Sequence, residues 1–541
     1  MRKPLQIVLI ILMFLFVISF SLTPLRSTND AWWHLKTGKI LIERGLELPE
    51  NDIFAFTSEN IPWHNHEWLS QILFYKVFQL GDGTAQGGMR MVIGFKAIIL
   101  LALSLLVFMT CFRETKNLPI SVICAVWTII LTRRTIYPRP PILTYPLFAL
   151  FLLILREIAA SRWKRGWLWI LPPLMILWVN LHGGFMLGLI AIGAFLAGEA
   201  WKNLRSGKPV HGGNVKAMAA LFVACILASL VNPYSWRLYL LPGRVMSDAL
   251  LVRIIPELQS PKFFYTVGFE LLILFLIVAF SGTRKGLLNL PEGLLMVFFL
   301  HQALLHVRHI PLFGIVAAPV AARVIAALIE EYRPRAWTKT ASDLVVGGIA
   351  LLVISYTVFN HREGESFFDR NYNFSRGMGY YPGSYPVQEA DFIIANEFTG
   401  RMYNQINDAG YLIWRLSPEH HKVFTDSRYD IFGGRFMRHE QMIQQAIDRK
   451  VEPGDRTWDE LLDFWEINFI LISGDIPLRW ALDQSDEWTL VYHRLHPDAQ
   501  TTREGYKIYI RNIPGNRDLI DRCKRSFHAG KARGKAWGQF I

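Results

Sequence analysis

Two carboxylates and three imidazoles stand close together in one stretch of the chain: Asp30, His34, His64, His66 and Glu67. A positioned carboxylate can take the proton of a hydroxyl in the transition state of a group transfer, with imidazoles as helpers. The same stretch offers nitrogen and oxygen ligands for a divalent metal from Asp30, His64, His66 and Glu67, although the spacing matches no strong zinc signature. The plainer alternative is that Asp30 caps a helix and the histidines make interfacial hydrogen bonds. A second group has the chemistry to hold an anion. Arg133, Arg134, Arg139 and Arg308 carry planar forks that suit bidentate phosphate binding. They fall, like His182 and His309, at polar interruptions of apolar sequence.

The elements that must position these residues are membrane spans. Of 541 residues, 52% are hydrophobic, and these gather into uncharged runs up to about residue 360. A run of about 20 apolar residues crosses a bilayer as a helix because every backbone amide is then paired internally. About eleven candidate spans follow on that criterion, near 5–23, 91–112, 118–133, 141–157, 166–181, 184–201, 215–231, 267–281, 290–305, 309–328 and 342–359. Asn180-Leu181-His182-Gly183-Gly184 and His306-Val307-Arg308-His309 break two of the apolar stretches into separate spans. The first run, Leu5 to Leu22, reads as an uncleaved span rather than a signal peptide.

Lys and Arg in short loops set the orientation. Arg113, Lys116, Arg156, Arg162, Lys164, Lys202 and Arg205 place the N-terminus inside, and an odd span count places the C-terminal part outside. The net charge of +13 then reflects cytoplasmic loops and anionic lipid, not nucleic acid. The outer positive charges are nearly all arginine; Lys262 is the exception. Cys111, Cys124, Cys225 and Cys523 show no pairing framework and read as structural thiols.

A long first outer loop, about 24 to 90, holds the carboxylates, and loops of this length usually carry function. Residues 31 to 44 form a helix laid on the bilayer, stopped by Gly45, with Trp32 and Trp33 in the interfacial belt. A second helix runs from near Trp63 to about Leu80. The polar interruptions all map to the outer ends of spans, whereas a transporter needs ionisable or broken-helix sites near the midplane. From about 361 the hydrophobicity drops. Helical patterns over Val387–Phe398, Gly410–Leu416, 435–448 and Trp458–Trp465 alternate with strand patterns over Arg401–Gln405, Lys422–Asp426, Ile467–Ile472, Trp488–His493 and Tyr506–Arg511, which points to an α/β domain. Asp426 and Arg428 read as an internal ion pair in preference to an acceptor-binding pair. The basic segment 513–541 is expected to be poorly ordered.

The chain resembles the GT-C class of membrane glycosyltransferases, which includes protein mannosyltransferases, aminoarabinose transferases and oligosaccharyltransferases. The likeness lies in Asp30 just after the first span, the long first loop, the many spans and the C-terminal domain. More closely, it looks like bacterial members of unassigned substrate, through Asp30-x-Trp32-Trp33-His34, His66-Glu67-Trp68-Leu69, Leu181-His182-Gly183-Gly184-Phe185, Arg308-His309-Ile310-Pro311, Gly410-Tyr411-Leu412 and Val423-Phe424-x-Asp426-x-Arg428. The resemblance covers most of the chain to about 512. The motifs are moderately specific together and weak singly. Asn29 stands where some members have a second acid, and no Trp-Trp-Asp motif appears, which argues against an oligosaccharyltransferase.

The resemblance implies a mainly α fold: a polytopic transmembrane bundle (1–360, first outer loop 24–90), an extracytoplasmic α/β domain (361–512) and a basic tail (513–541). It implies a multi-pass protein of the inner, or plasma, membrane that moves a sugar from a polyprenyl-phosphate carrier to a lipid, glycan or protein acceptor on the outer face. Asp30 matches the family's first-loop aspartate and would act as base, with Glu67 as a second carboxylate. His34, His64, His66, Arg133, Arg134, Arg139, His182, Arg308 and His309 would line the substrate. No cofactor is certain, and a divalent metal is compatible. The rival functions are a flippase or exporter of a glycolipid or polysaccharide, and a non-catalytic membrane assembly protein.

Overall fold

A computed structural model describes residues 3–26, 30–133, 135–206, 212–261, 288–332, 347–348, 378–450, 456–494 and 505–532. The chain is mainly helical, with one small sheet near its C-terminal end. It divides into two compact units. One comprises Met1–Pro24, His66–Leu238 and Ile255–Gly379; the other comprises Leu25–Asn65, Tyr239–Ile254 and Tyr380–Ile541.

The first unit is a bundle of apolar helices. Five among the described residues are long and apolar enough to cross a membrane: Pro4–Ser21, Ala85–Thr115, Pro141–Ala159, Gly183–Arg205 and Val307–Tyr332. Leu118–Leu131, Val215–Ser229 and Leu290–Leu305 are apolar but shorter. The candidate span 267–281 and all of 342–359 except 347–348 lie outside the described residues, so the expected eleven spans are met by five candidate crossings and three shorter apolar helices among the described residues. Ile11, Leu15, Ile98, Leu227 and Val297 are exposed on these helices, a composition that suits lipid and marks a membrane protein.

Both polar breaks are real helix ends. Leu171–Leu181 stops at His182, whose extended backbone leads into a 3-10 turn, Gly183–Phe185, before the next helix. Leu290–Leu305 stops at His306, and a turn over Val307–His309 opens Ile310–Tyr332. At the other ends of these helices lies an ionic network. Glu292 pairs with Arg156 and, at 2.6 Å, with Arg323; Glu114 pairs with Arg323 at 3.0 Å and Arg162 at 2.7 Å; Glu157 pairs with Arg113 at 3.1 Å. Arg113, Arg156 and Arg162, read from sequence as loop charges, are thus tied to acids on neighbouring helices. Pro141–Ala159 carries Glu157 at its end and Leu290–Leu305 carries Glu292 at its start. Arg139 and Thr144 therefore stand at the same end of the bundle as His306 and Arg308.

The second unit is α/β. Four strands, β1 (Arg401–Asn404), β2 (Ile467–Ser473), β3 (Trp488–His493) and β4 (Tyr506–Arg511), form a sheet in the order β1-β2-β4-β3. β1 and β2 are parallel, and both other pairings are antiparallel. β2 reads Ile-Asn-Phe-Ile-Leu-Ile-Ser, a nearly continuous apolar run, because it is an inner strand covered on both faces. Lys422–Asp426 is not a strand. Only Val423 pairs, through a bridge to Ala55, while Phe424 and Thr425 bond the side-chain amide of Asn404 instead of a ladder. The basic tail, expected to be poorly ordered, forms a helix over Arg517–Ala532 that buries Leu519, Ile520, Cys523 and Phe527; residues 533–541 lie outside the described set.

The first-loop helix spans Asp30–Glu43 and ends as its sequence demands. Gly45 takes φ +65°, Leu46 N–H bonds Leu41 O at 2.7 Å and Gly45 N–H bonds Ile42 O at 3.3 Å. Its setting differs from expectation. Ala31 to Gly38, Ile40 and Leu41 are all buried, so the helix is a core element of the second unit rather than one laid on lipid. Trp32 is fully enclosed and meets Tyr380, Tyr385 and Tyr411 edge-on at 4.9, 5.8 and 5.1 Å. The second loop helix, Trp68–Phe78, starts later than its pattern suggested.

Candidate active site

In the second unit, Asp30 is the first residue of its helix and is half-buried. The Ser427 hydroxyl donates to Asp30 Oδ1 at 2.5 Å, and Trp33 Nε1–H donates to Ser427 Oγ at 3.2 Å. The residues on either side of Ser427 form a buried ionic clamp. Arg428 Nε and Nη2 donate to Asp426 at 2.9 and 2.6 Å, and Nη1 lies 2.7 Å from Asp52 Oδ1. The guanidinium lies over Trp63, Phe54 and Trp33, 4.7, 5.1 and 5.9 Å from their ring centroids. Burial would lower the Arg428 pKa, but the charges of Asp426 and Asp52 outweigh it and hold it above the ordinary guanidinium value. Asp52 is fixed in turn by the Ser58 hydroxyl at 2.6 Å and Phe54 N–H at 3.0 Å. The ion pair read from sequence is present, and Asp52 joins it as a second acid. His34 is buried against the Trp33 ring at 3.6 Å, and His64 is half-buried.

In the first unit, Glu67 precedes the Trp68–Phe78 helix. Its carboxylate lies 3.6 Å from His182 Nε2 and 3.8 Å from His66 Nε2. The tautomer of His182 can be deduced. Gly184 N–H, which only donates, points at His182 Nδ1 from 3.0 Å, so Nδ1 accepts and the neutral ring carries its hydrogen on Nε2, facing Glu67. Thr144 Oγ1 also lies 2.8 Å from Nδ1, and Trp178 Nε1–H donates to that hydroxyl at 3.1 Å. Gly184 has no room for a side chain, since a Cβ there would meet Thr144 Oγ1 at 2.5 Å. The His-Gly-Gly break is thus built to hold an imidazole against a carboxylate.

The arginines differ in company. Arg139 pairs with Glu257. Arg308 Nε is buried without a hydrogen-bond partner among the described residues. Beside it, His306 Nδ1–H donates to the Leu258 carbonyl at 2.6 Å, and the His306 and His309 rings meet edge-on at 5.5 Å. Arg133 follows Leu118–Leu131 in a turn and is half-buried; Arg134 and Lys262 lie outside the described residues. Among the described residues no three His, Cys, Asp or Glu side chains gather as a metal-binding group. Asp30, His64, His66 and Glu67 therefore form no such group.

Asp52, Thr144, Glu257 and Ser427 escape the sequence reading. Ser427 had a signal, since it is the unassigned position inside Asp426-x-Arg428.

Neither a family model nor a curated protein matches the chain. Solved structures match in fold. The oligosaccharyltransferase of Archaeoglobus fulgidus, tethered to an acceptor peptide, aligns with a TM-score of 0.54 at 12% identity over 87% of this chain and 69% of that one. AglB of the same organism, in complex with an inhibitory peptide and a dolichol-phosphate, aligns at 0.54 and 12% over 86% and 69%. The arabinofuranosyltransferase AftD from Mycobacteria aligns at 0.51 and 13% over 95% of this chain but 42% of its own length. At these identities the likeness is one of fold. The chain has the GT-C fold of membrane glycosyltransferases, as its motifs led one to expect.

Proposed function

We propose that the chain transfers a sugar from a polyprenyl-phosphate carrier to an acceptor hydroxyl on the outer face of the membrane. The observation that carries this reading is the GT-C fold combined with a carboxylate, Asp30, that opens the first helix after the first span. Solved proteins of this fold include one in complex with a dolichol-phosphate. In the proposed step, the acceptor oxygen attacks the anomeric carbon and Asp30 takes its proton. The bond from that carbon to the phosphate oxygen breaks, and the electron pair leaves with the carrier. The departing phosphate gains a negative charge, which a pre-positioned cation stabilises most at that moment. Arg308 is the best placed of the arginines because its Nε is buried without a partner, whereas Arg139 already has Glu257. Glu67, beside His66 and His182 in the helical unit, is a second candidate carboxylate.

The test is Asp30→Asn in the full-length chain. Sugar transfer in membranes should be lost while insertion and melting temperature are kept; wild-type transfer by Asp30→Asn would remove Asp30 from the mechanism.

A further inference from the structure

We infer that Ser427 is a positioning residue for Asp30, holding the carboxylate in the orientation from which it receives the acceptor proton; this rests on the reading of Asp30 as the base. The two residues are 397 positions apart, and their contact is a short hydrogen bond of 2.5 Å. The direction of that bond is fixed. An ionised carboxylate only accepts, so Ser427 donates, and Trp33 Nε1–H occupies the serine oxygen as acceptor from 3.2 Å. The hydroxyl hydrogen therefore has one orientation, toward Asp30.

Ser427 is itself immobilised. Its neighbours Asp426 and Arg428 are both buried and bonded to each other, and Arg428 is pinned a second time by Asp52. Trp33 is held against the same guanidinium. Each support of the hydroxyl is thus fixed by a charge pair or a packed ring. A base held this way keeps its orientation without reorganising during the reaction, which is where such support acts on rate. A helix cap has no need of it: Asp30 would cap its helix through backbone amides of its own first turn.

The experiment compares the full-length wild type with Ser427→Ala, Ser427→Thr and Asp30→Asn in proteoliposomes. The donors are radiolabelled mannose, glucose and arabinose, each linked to undecaprenyl phosphate; a cell-envelope extract supplies acceptors, and released undecaprenyl phosphate is counted. Ser427→Ala is expected to lower kcat at least about tenfold, with KM for the donor and the melting temperature unchanged, and Ser427→Thr, which keeps the hydroxyl, to restore most of the rate. Wild-type kcat in Ser427→Ala, with Asp30→Asn inactive, overturns the role of Ser427 and leaves that of Asp30 intact. A lowered melting temperature with no rescue by threonine makes Ser427 structural only and also overturns it. Full activity of Asp30→Asn, or no carrier released by the wild type, brings down the reading of the site and the role of Ser427 with it.

Discussion

The loop that carries both carboxylates is divided between two environments. Up to Asn65 it belongs to the α/β unit, and from His66 it belongs to the helical unit. Asp30, in the first part, is held by a serine from the far end of the chain, braced by a buried Asp–Arg–Asp clamp. Glu67, in the second part, faces two imidazoles at 3.6 and 3.8 Å, longer than hydrogen bonds. The first setting is closed by the protein's own groups. In the second, Arg308 keeps a buried Nε without a hydrogen-bond partner among the described residues. That is the division expected of a pre-organised base and of a site that must accept and release an anion.

This contrast can be broken at several points. The largest effect should come from Arg428→Gln. Removing one partner of a buried ionic cluster typically costs about 3–5 kcal/mol, because the remaining charges are left uncompensated; here they are Asp52 and Asp426. Limited proteolysis should then cleave the α/β unit and spare the helical one, and equal resistance of both would show that the clamp carries little. Arg308→Gln should act the other way. It should leave folding unchanged and weaken protection by undecaprenyl phosphate against heat, by an amount matching the loss of a charged hydrogen bond, about 1.5–3 kcal/mol. Unaltered protection would remove Arg308 from the anion site.

A smaller effect sharpens the picture of the α/β unit alone. Burial pushes the Glu440 carboxyl from 4.5 up to about 7. The folded chain then holds this proton more tightly than the unfolded chain. Its contribution is therefore complete below about pH 4.5, declines as pH rises toward 7 and is level above. Glu440→Gln should lessen the slope of that part of the stability profile, to which the buried acids Glu389 and Asp408 also contribute, measured as denaturation midpoints between pH 4.5 and 7.5. A slope equal to that of the wild type would contradict the assignment.

What the sequence disclosed follows the range of the interactions. The two helix breaks were legible because His182-Gly183-Gly184 and His306 to His309 are local, and so are the caps and turns that they make. Strand β2 was legible from its continuous apolar run. The burial of the Asp30 helix was not. Its tryptophans suit an interfacial belt as well as a core, and only Tyr380, Tyr385 and Tyr411, from distant sequence, decide between them. Lys422–Asp426 has a strand's composition but lost its ladder to the Asn404 side chain. In the basic tail, charge masks the apolar stripe of Leu519, Ile520, Cys523 and Phe527, which are buried in the fold. In the site, the charged residues announced themselves, whereas Ser427 and Thr144 have ordinary chemistry and matter only through what they touch.

The central claim is that this chain makes a glycosidic bond rather than moving an intact lipid. It is tested most directly in proteoliposomes carrying undecaprenyl phosphate linked to a doubly labelled sugar and lipid, with envelope extract as acceptor. The account predicts that sugar label passes into the acceptor fraction, one undecaprenyl phosphate is released per sugar moved, and both stop in Asp30→Asn. Labelled carrier crossing the bilayer with its sugar still attached, and no sugar in the acceptor fraction, would contradict it.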